Sequence, residues 1–230
     1  MRNLFKLLFP MNDNQTAEEH FNQGMALAEL KKFKKAIIEF NKAIRIDPGY
    51  AEAYQNSGNA KGFIRNYTGA IADLTEAIGL NGMESEAYYS RGIFLGASGK
   101  TRAAIDDFNM AIIIDPDYAN AYLQRGIALD LLKDYVGACV DFSQAIDIDD
   151  KFINAYYLRG IAVGALGDLR EAINDFTLAI NLDPNYVNAY YQRGIAKLGL
   201  GEKDSGCADL SIAGKLGHPK AYKAIREFSN

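Results

Sequence analysis

Residues 119–152 read ANAYLQRGIALDLLKDYVGACVDFSQAIDIDDKF, and the same frame recurs along most of the chain. With Ala119 as position 1, Gly126 falls at position 8. Gly24, Gly58, Gly92, Gly160 and Gly194 fall at position 8 of the other copies, so that with Gly126 six glycines stand at intervals of 34 residues. Position 4 holds His20, Tyr54, Tyr88, Tyr122, Tyr156 and Tyr190. Position 20 holds Ala36, Ala70, Ala104, Ala138 and Ala172, then Gly206; position 24 holds Phe40, Leu74, Phe108, Phe142, Phe176 and Leu210. Position 27 is alanine throughout (Ala43, Ala77, Ala111, Ala145, Ala179 and Ala213), and Pro48, Pro116 and Pro184 occupy position 32 in alternate copies. A fixed period without insertion or deletion marks a repeat architecture.

Each copy carries two runs of helical periodicity, such as 119–132 and 136–148, separated by a short turn like Leu166-Gly167-Asp168-Leu169. Position 8 lies inside the first run, where glycine costs about 1 kcal/mol relative to alanine. A cost repeated in every copy calls for a packing reason. Small residues at 8, 20 and 27 let helix backbones approach closely, while the rings at 4 and 24 fill the space between. The Asp-Pro pairs at 47–48, 115–116 and 183–184 are expected to end each second helix. One such hairpin cannot bury its apolar face alone, so neighbours must stack into a continuous core. Residues 219–228 read as one further helix, with Tyr222, Ile225 and Phe228 facing inward.

Over residues 17–220 the pattern resembles the tetratricopeptide repeat, with Tyr in place of the family's Trp at position 4 and Arg often in place of Leu at position 7. The resemblance implies an all-α, right-handed superhelical solenoid of six 34-residue helix-turn-helix repeats with a C-terminal capping helix. Its expected parts are an N-terminal arm (1–16), repeats at 17–50, 51–84, 85–118, 119–152, 153–186 and 187–218, and a capping helix over 219–230. It also implies a concave groove lined by first helices. The groove residues would be Asn120, Asn154 and Asn188; Tyr89, Leu123, Tyr157 and Tyr191; Gln124 and Gln192; and Ile127, Ile161 and Ile195. Such an apolar, aromatic strip edged by amides suits an extended or helical peptide of a partner protein. The isoleucines equally suit packing between adjacent first helices. The Lys, Asn, Asn, Lys, Arg set that holds chaperone tails in some members is absent, since Gln55, Ser90, Asn120 and Gln124 stand where its other members would fall. The implied function is a non-catalytic interaction scaffold or adaptor.

The 230 residues are 49% hydrophobic and 23% charged, which excludes a disordered chain. A net charge of −4 gives no electrostatic case for nucleic acid. The charge is uneven: +2 over 1–50, −1 over 51–100, −8 over 101–186 and +3 over 187–230. The acidic middle keeps a long surface solvated, and would also suit a basic partner or head-to-tail self-contact. Arg91, Arg125, Arg159 and Arg193 at position 7 run beside an acidic position 23 (Glu39, Asp73, Asp107, Asp141, Asp175 and Asp209). Pairing within a repeat and pairing between repeats both satisfy that list. Cys139 and Cys207 share one position of two repeats and read as small core residues, not as a disulfide. His20 takes the Tyr slot of the core, and His218 lies at the opposite end, so no catalytic set, metal site or cofactor is expected. Lys31-Lys32-Phe33-Lys34-Lys35 falls in a turn and reads as solvated; an acidic partner or lipid headgroups are the alternative. The arm, with Leu4, Phe5, Leu7, Leu8 and Phe9, is too short to span a bilayer and has no cleavage site. It would cap the first repeat, dock in a neighbour's groove or touch a membrane surface. Self-association through this arm, or a peripheral membrane assembly role, is therefore the alternative to the scaffold. A cytoplasmic protein with a protein or peptide partner, no small-molecule substrate, a possible homo-oligomer and little prospect of a membrane partner is the resulting expectation.

Overall fold

The computed structural model describes residues 15–228. Its first compact unit, up to Ser98, contains α1 (Ala17–Glu29), α2 (Phe33–Ile46), α3 (Ala51–Phe63), α4 (Tyr67–Leu80) and α5 (Ser85–Ala97). The second, from Gly99, contains α6 (Thr101–Ile114), α7 (Ala119–Leu131), α8 (Tyr135–Ile148), α9 (Ile153–Ala165), α10 (Leu169–Leu182), α11 (Val187–Gly199), α12 (Lys203–Lys215) and α13 (Ala221–Phe228). No strand occurs among the described residues. The fold is an all-α helical repeat solenoid. The expected N-terminal arm lies outside the described residues, except for Gln15 and Thr16.

Within each unit every helix packs on its neighbour in the chain. First helices also touch one another, α1 with α3 and α3 with α5 in the first unit, and α7 with α9 and α9 with α11 in the second. Among the described residues no such contact joins second helices, so the first helices take the inner side of each unit.

Small residues hold the helices together. Ala36, Ala43, Ala70, Ala138, Ala145 and Ala179 are fully buried, as are Ala53, Ala121, Ala155 and Ala189 at position 3. Glycine at position 8 is explained by the position-24 side chain opposite it, a Phe ring or Leu74 and Leu210. A Cβ on Gly126 would lie 2.6 Å from the Phe142 ring, and one on Gly160 would lie 2.7 Å from that of Phe176. Gly206 departs from the alanine of position 20 for a similar reason. Leu198 stands where other repeats carry Gly62, Gly96 and Gly164, and a Cβ on Gly206 would sit 2.8 Å from Leu198 Cγ.

Proline is not what ends the second helices. Asp47, Asn81, Asp115, Asp149 and Asp183 all adopt extended backbone at the C-cap. Each accepts, through its own side chain, the backbone N–H two residues on. Asn81-Gly82 and Asp149-Asp150 make the same turn as the Asp-Pro pairs, so the recurring signal is an Asx residue at position 31.

The terminal helix also differs from expectation. α13 buries Ala221 and Ala224 and packs Ile225 against the core, whereas Tyr222 and Phe228 remain 51% and 42% exposed. The two cysteines are half-buried rather than core, and burial pushes the Cys139 thiol above its ordinary range.

Candidate functional site

The position-7 arginines are tied into the fold. Arg125 donates from Nε and Nη2 to both oxygens of Asp141, at 2.8 and 2.6 Å. Arg159 grips Asp175 at 2.9 and 2.7 Å, and Arg193 grips Asp209 at 2.8 and 2.7 Å. The pairing that sequence left open is therefore within the repeat in these three copies. Each remaining Nη1 reaches back to the preceding repeat, to Asn109 Oδ1 at 2.6 Å, Ser143 Oγ at 3.1 Å and Thr177 Oγ1 at 3.0 Å. Arg91 donates in the same way to Thr75 Oγ1 at 3.1 Å. The guanidinium of each also lies 5.5–5.7 Å from the ring of its own position-4 tyrosine. Hydrogen bonding to Asp141 and Asp175 pushes Arg125 and Arg159 above their ordinary range. These groups are spent on the scaffold and make poor anion receptors.

The amides behave differently. Asn120, Asn154 and Asn188 are all exposed at the start of α7, α9 and α11. Asn154 Oδ1 accepts a hydrogen bond from the Tyr186 hydroxyl at 3.1 Å. The Tyr186 ring meets Tyr157 edge-on at 5.1 Å, and Tyr157 in turn tilts against Phe176 at 5.9 Å. Burial, together with nearby Tyr157 and Asp183, pushes the Tyr186 phenol up to about 12. Burial also raises Tyr157, against the effect of its hydrogen bond with Gln192. Asn154 and Tyr186 also line an open depression of about 330 Å³, together with Asp149, Lys151, Phe152, Ile153 and Asp183.

Other expected groove residues are placed less openly. Leu123 is buried in the core beside Phe142 and Ala155, with Ile127 packed at the edge of the same cluster. Ile161 packs beside Phe176. Tyr191 is stacked under His218 at 3.9 Å, and Ile195 packs with Leu198, Leu210 and Ala224 near the terminal helix. Gln124 and Gln192 are half-buried. Tyr89, also half-buried, belongs to the first unit, and the other eleven belong to the second.

A further periodic signal is the aromatic at position 34, at Tyr50, Tyr118, Phe152 and Tyr186. It precedes the first helix, and it meets the position-5 ring of the repeat before where Tyr186 meets Tyr157 and where Tyr50 meets Phe21 at 5.0 Å. The 34-residue frame alone could have found it.

His20 is fully buried, with Nδ1 sharing a hydrogen bond with Glu39 Oε2 at 2.8 Å, so it is a packed residue. Burial tends to raise Glu39, but bonds from His20 and Lys42 hold it below its ordinary range. Among the described residues no group of His, Cys, Asp and Glu could hold a metal ion.

Models described as tetratricopeptide repeat match residues 17–50 and 56–119, and one described as TPR repeat matches 165–201. Among solved structures, MamA is 28% identical, with a TM-score of 0.68 over 70% of this chain and 94% of that chain. YrrB, a TPR protein with an unusual peptide-binding site, is 22% identical, with a TM-score of 0.71 over 81% of this chain and 97% of that one. A tetratricopeptide repeat protein from Parabacteroides merdae ATCC 43184 is 19% identical, with a TM-score of 0.67 over 93% of this chain and 99% of its own. The last two likenesses concern the fold alone. No curated protein matches the chain. With its 34-residue frame, its stacked helix pairs and these three matched segments, the chain belongs to the tetratricopeptide repeat family.

Proposed function

We propose that this protein is a non-catalytic interaction scaffold, and that the first-helix face of its second unit holds an extended peptide segment of a partner protein. Tetratricopeptide repeat proteins are in general non-catalytic and bind protein partners. The observation that carries the finer reading is the cluster of Asn154, Tyr157 and Tyr186 beside the open depression. An amide can donate to and accept from a peptide backbone, while the aromatic wall takes an apolar side chain. Asn120 and Asn188 repeat the amide one period to either side. An extended peptide rises about 3.3 Å per residue, so it can meet several such amides in turn. The receptor set is Asn120, Asn154, Asn188, Tyr157, Gln124, Gln192 and Ile161, with Tyr186 added. Tyr191, Leu123, Ile127 and Ile195 support it from the packed side.

Peptides selected from a random display library on the full-length protein, then titrated calorimetrically, test this reading. Binding is expected to weaken about tenfold or more in Asn154→Ala/Asn188→Ala, on the scale of about 1 kcal/mol for each lost hydrogen bond. Unchanged affinity in the folded double variant would contradict it.

A further inference from the structure

The turn between α1 and α2 combines departures from local rules that other turns of the chain show only in part. Before α4, α8 and α10 stand Asn66, Asp134 and Asp168, and each side chain accepts a backbone N–H of the helix it opens. Lys32 stands there before α2 and makes no such bond. Lys34 and Lys35 follow, with no acid in the first turn. Three cations thus crowd the positive end of a helix dipole. Lys31 adopts φ 56, a left-handed conformation that glycine supplies at the equivalent Gly99, Gly167 and Gly201, and that Arg65 and Lys133 share at the others. A side chain makes that conformation unfavourable. Residue choices that oppose their own local structure point to a role outside the fold.

The same edge is also apolar. Leu30, Phe63 and Ile64 are 63%, 68% and 38% exposed. Phe33 stacks on Phe63 at 4.7 Å, which joins the α1–α2 turn and the end of α3 into one surface. Arg65 follows at the tip of the next turn, again at positive φ. Glu29 is the acid at this edge, and Lys31, Lys32, Lys34, Lys35 and Arg65 are held in no salt bridge among the described residues.

We propose that this edge of the first unit docks on the surface of an anionic lipid bilayer. The lysines and Arg65 would meet the headgroup charge, and Phe63, Leu30 and Ile64 would enter the headgroup–acyl boundary. A bilayer interface supplies anions and an apolar medium in one plane, which is what protruding, cationic, apolar-tipped turns fit. Nucleic acid supplies phosphates but no apolar medium for Leu30 and Ile64. No helix among the described residues is long and apolar enough to cross a membrane, so the contact is with the surface.

Co-sedimentation of the full-length protein with phosphatidylcholine vesicles, with and without phosphatidylserine, tests the proposal. Binding is expected only to the anionic vesicles and is expected to fall with added salt. Each neutralised cation should weaken it roughly fivefold, so Lys31→Gln/Lys34→Gln/Lys35→Gln should lose on the order of a hundredfold. Leu30→Ser, which leaves the Phe33–Phe63 stack intact, should weaken binding at every salt concentration. All variants keep residues 1–16, and circular dichroism checks that they remain helical. Three results overturn the proposal. One is no vesicle binding by the wild type. Another is binding that the lysine and leucine variants leave unchanged, which would move the contact elsewhere on the chain. The third is capture of polyglutamate or an RNA oligonucleotide in place of vesicles.

Discussion

Arg159 is bound to both oxygens of Asp175, to Ser143 of the preceding repeat and to the face of Tyr156. Asp175 itself is fully buried. Replacing Arg159 with Met therefore strands a carboxylate in the core, and a loss of about 3–5 kcal/mol is expected in urea unfolding. Arg159→Met/Asp175→Leu removes both charges and should recover most of that loss, because an apolar pair of similar size does not need the missing bonds. Sequence showed that Arg and Asp share a period but not which Asp is chosen. Asp141 lies 18 residues before Arg159 and Asp175 lies 16 after, so the frame permits both. The choice follows from the hairpin, which brings α9 and α10 side by side and leaves only a hydroxyl at position 25 within reach of the preceding helix.

Between helices, the last repeat pair departs from the pattern by exchange rather than by decay. Leu198 on α11 is large where most copies are small, and Gly206 on α12 is small where the others carry alanine. Gly206→Ala should cost about 1–3 kcal/mol through overpacking, since the new Cβ meets Leu198 Cγ at 2.8 Å and the Gly194 carbonyl at 2.9 Å. Leu198→Ala alone should cost about 2–5 kcal/mol. The double variant should lose less than the sum, with a coupling of about 0.5–3 kcal/mol in a denaturant-melt cycle. Strict additivity would contradict the exchange. Helix positions were legible from the period because every repeat states the same pattern again. Turn chemistry was less so: proline in alternate copies drew attention away from the Asx residue that makes the turn in all five. α13 was hardest to read: Ile225 packs on the core as expected, but Ala221 and Ala224 fill the buried positions and Tyr222 and Phe228 stay exposed.

At the scale of the molecule, a solenoid stands on neighbour contacts, so its stability should grade along the chain. In the second unit α13 buries Ala221 and Ala224 and packs Ile225 at the core's edge, whereas α8, α9 and α10 are packed on both sides. Amide hydrogen exchange should therefore be fast in α13 and slowest over 135–182, and uniform protection across that unit would count against the graded picture. The candidate face was partly legible. Exposed amides follow directly from the family frame, but aromatic and aliphatic positions did not separate into open and packed. Leu123, Tyr191 and Ile195 have neighbours that sequence does not reveal, and Tyr186 belongs to a position outside the first-helix frame. The central claim is that a partner lies across Asn120, Asn154 and Asn188. Placing a photo-crosslinking residue at Asn154, or at the exposed Gln144 of α8 as control, and sequencing the captured segments tests it most directly. The account predicts that one extended partner segment is captured from position 154, is displaced by the selected peptides, and is not captured from position 144. Capture from position 144 instead, or equally from both positions, would contradict it.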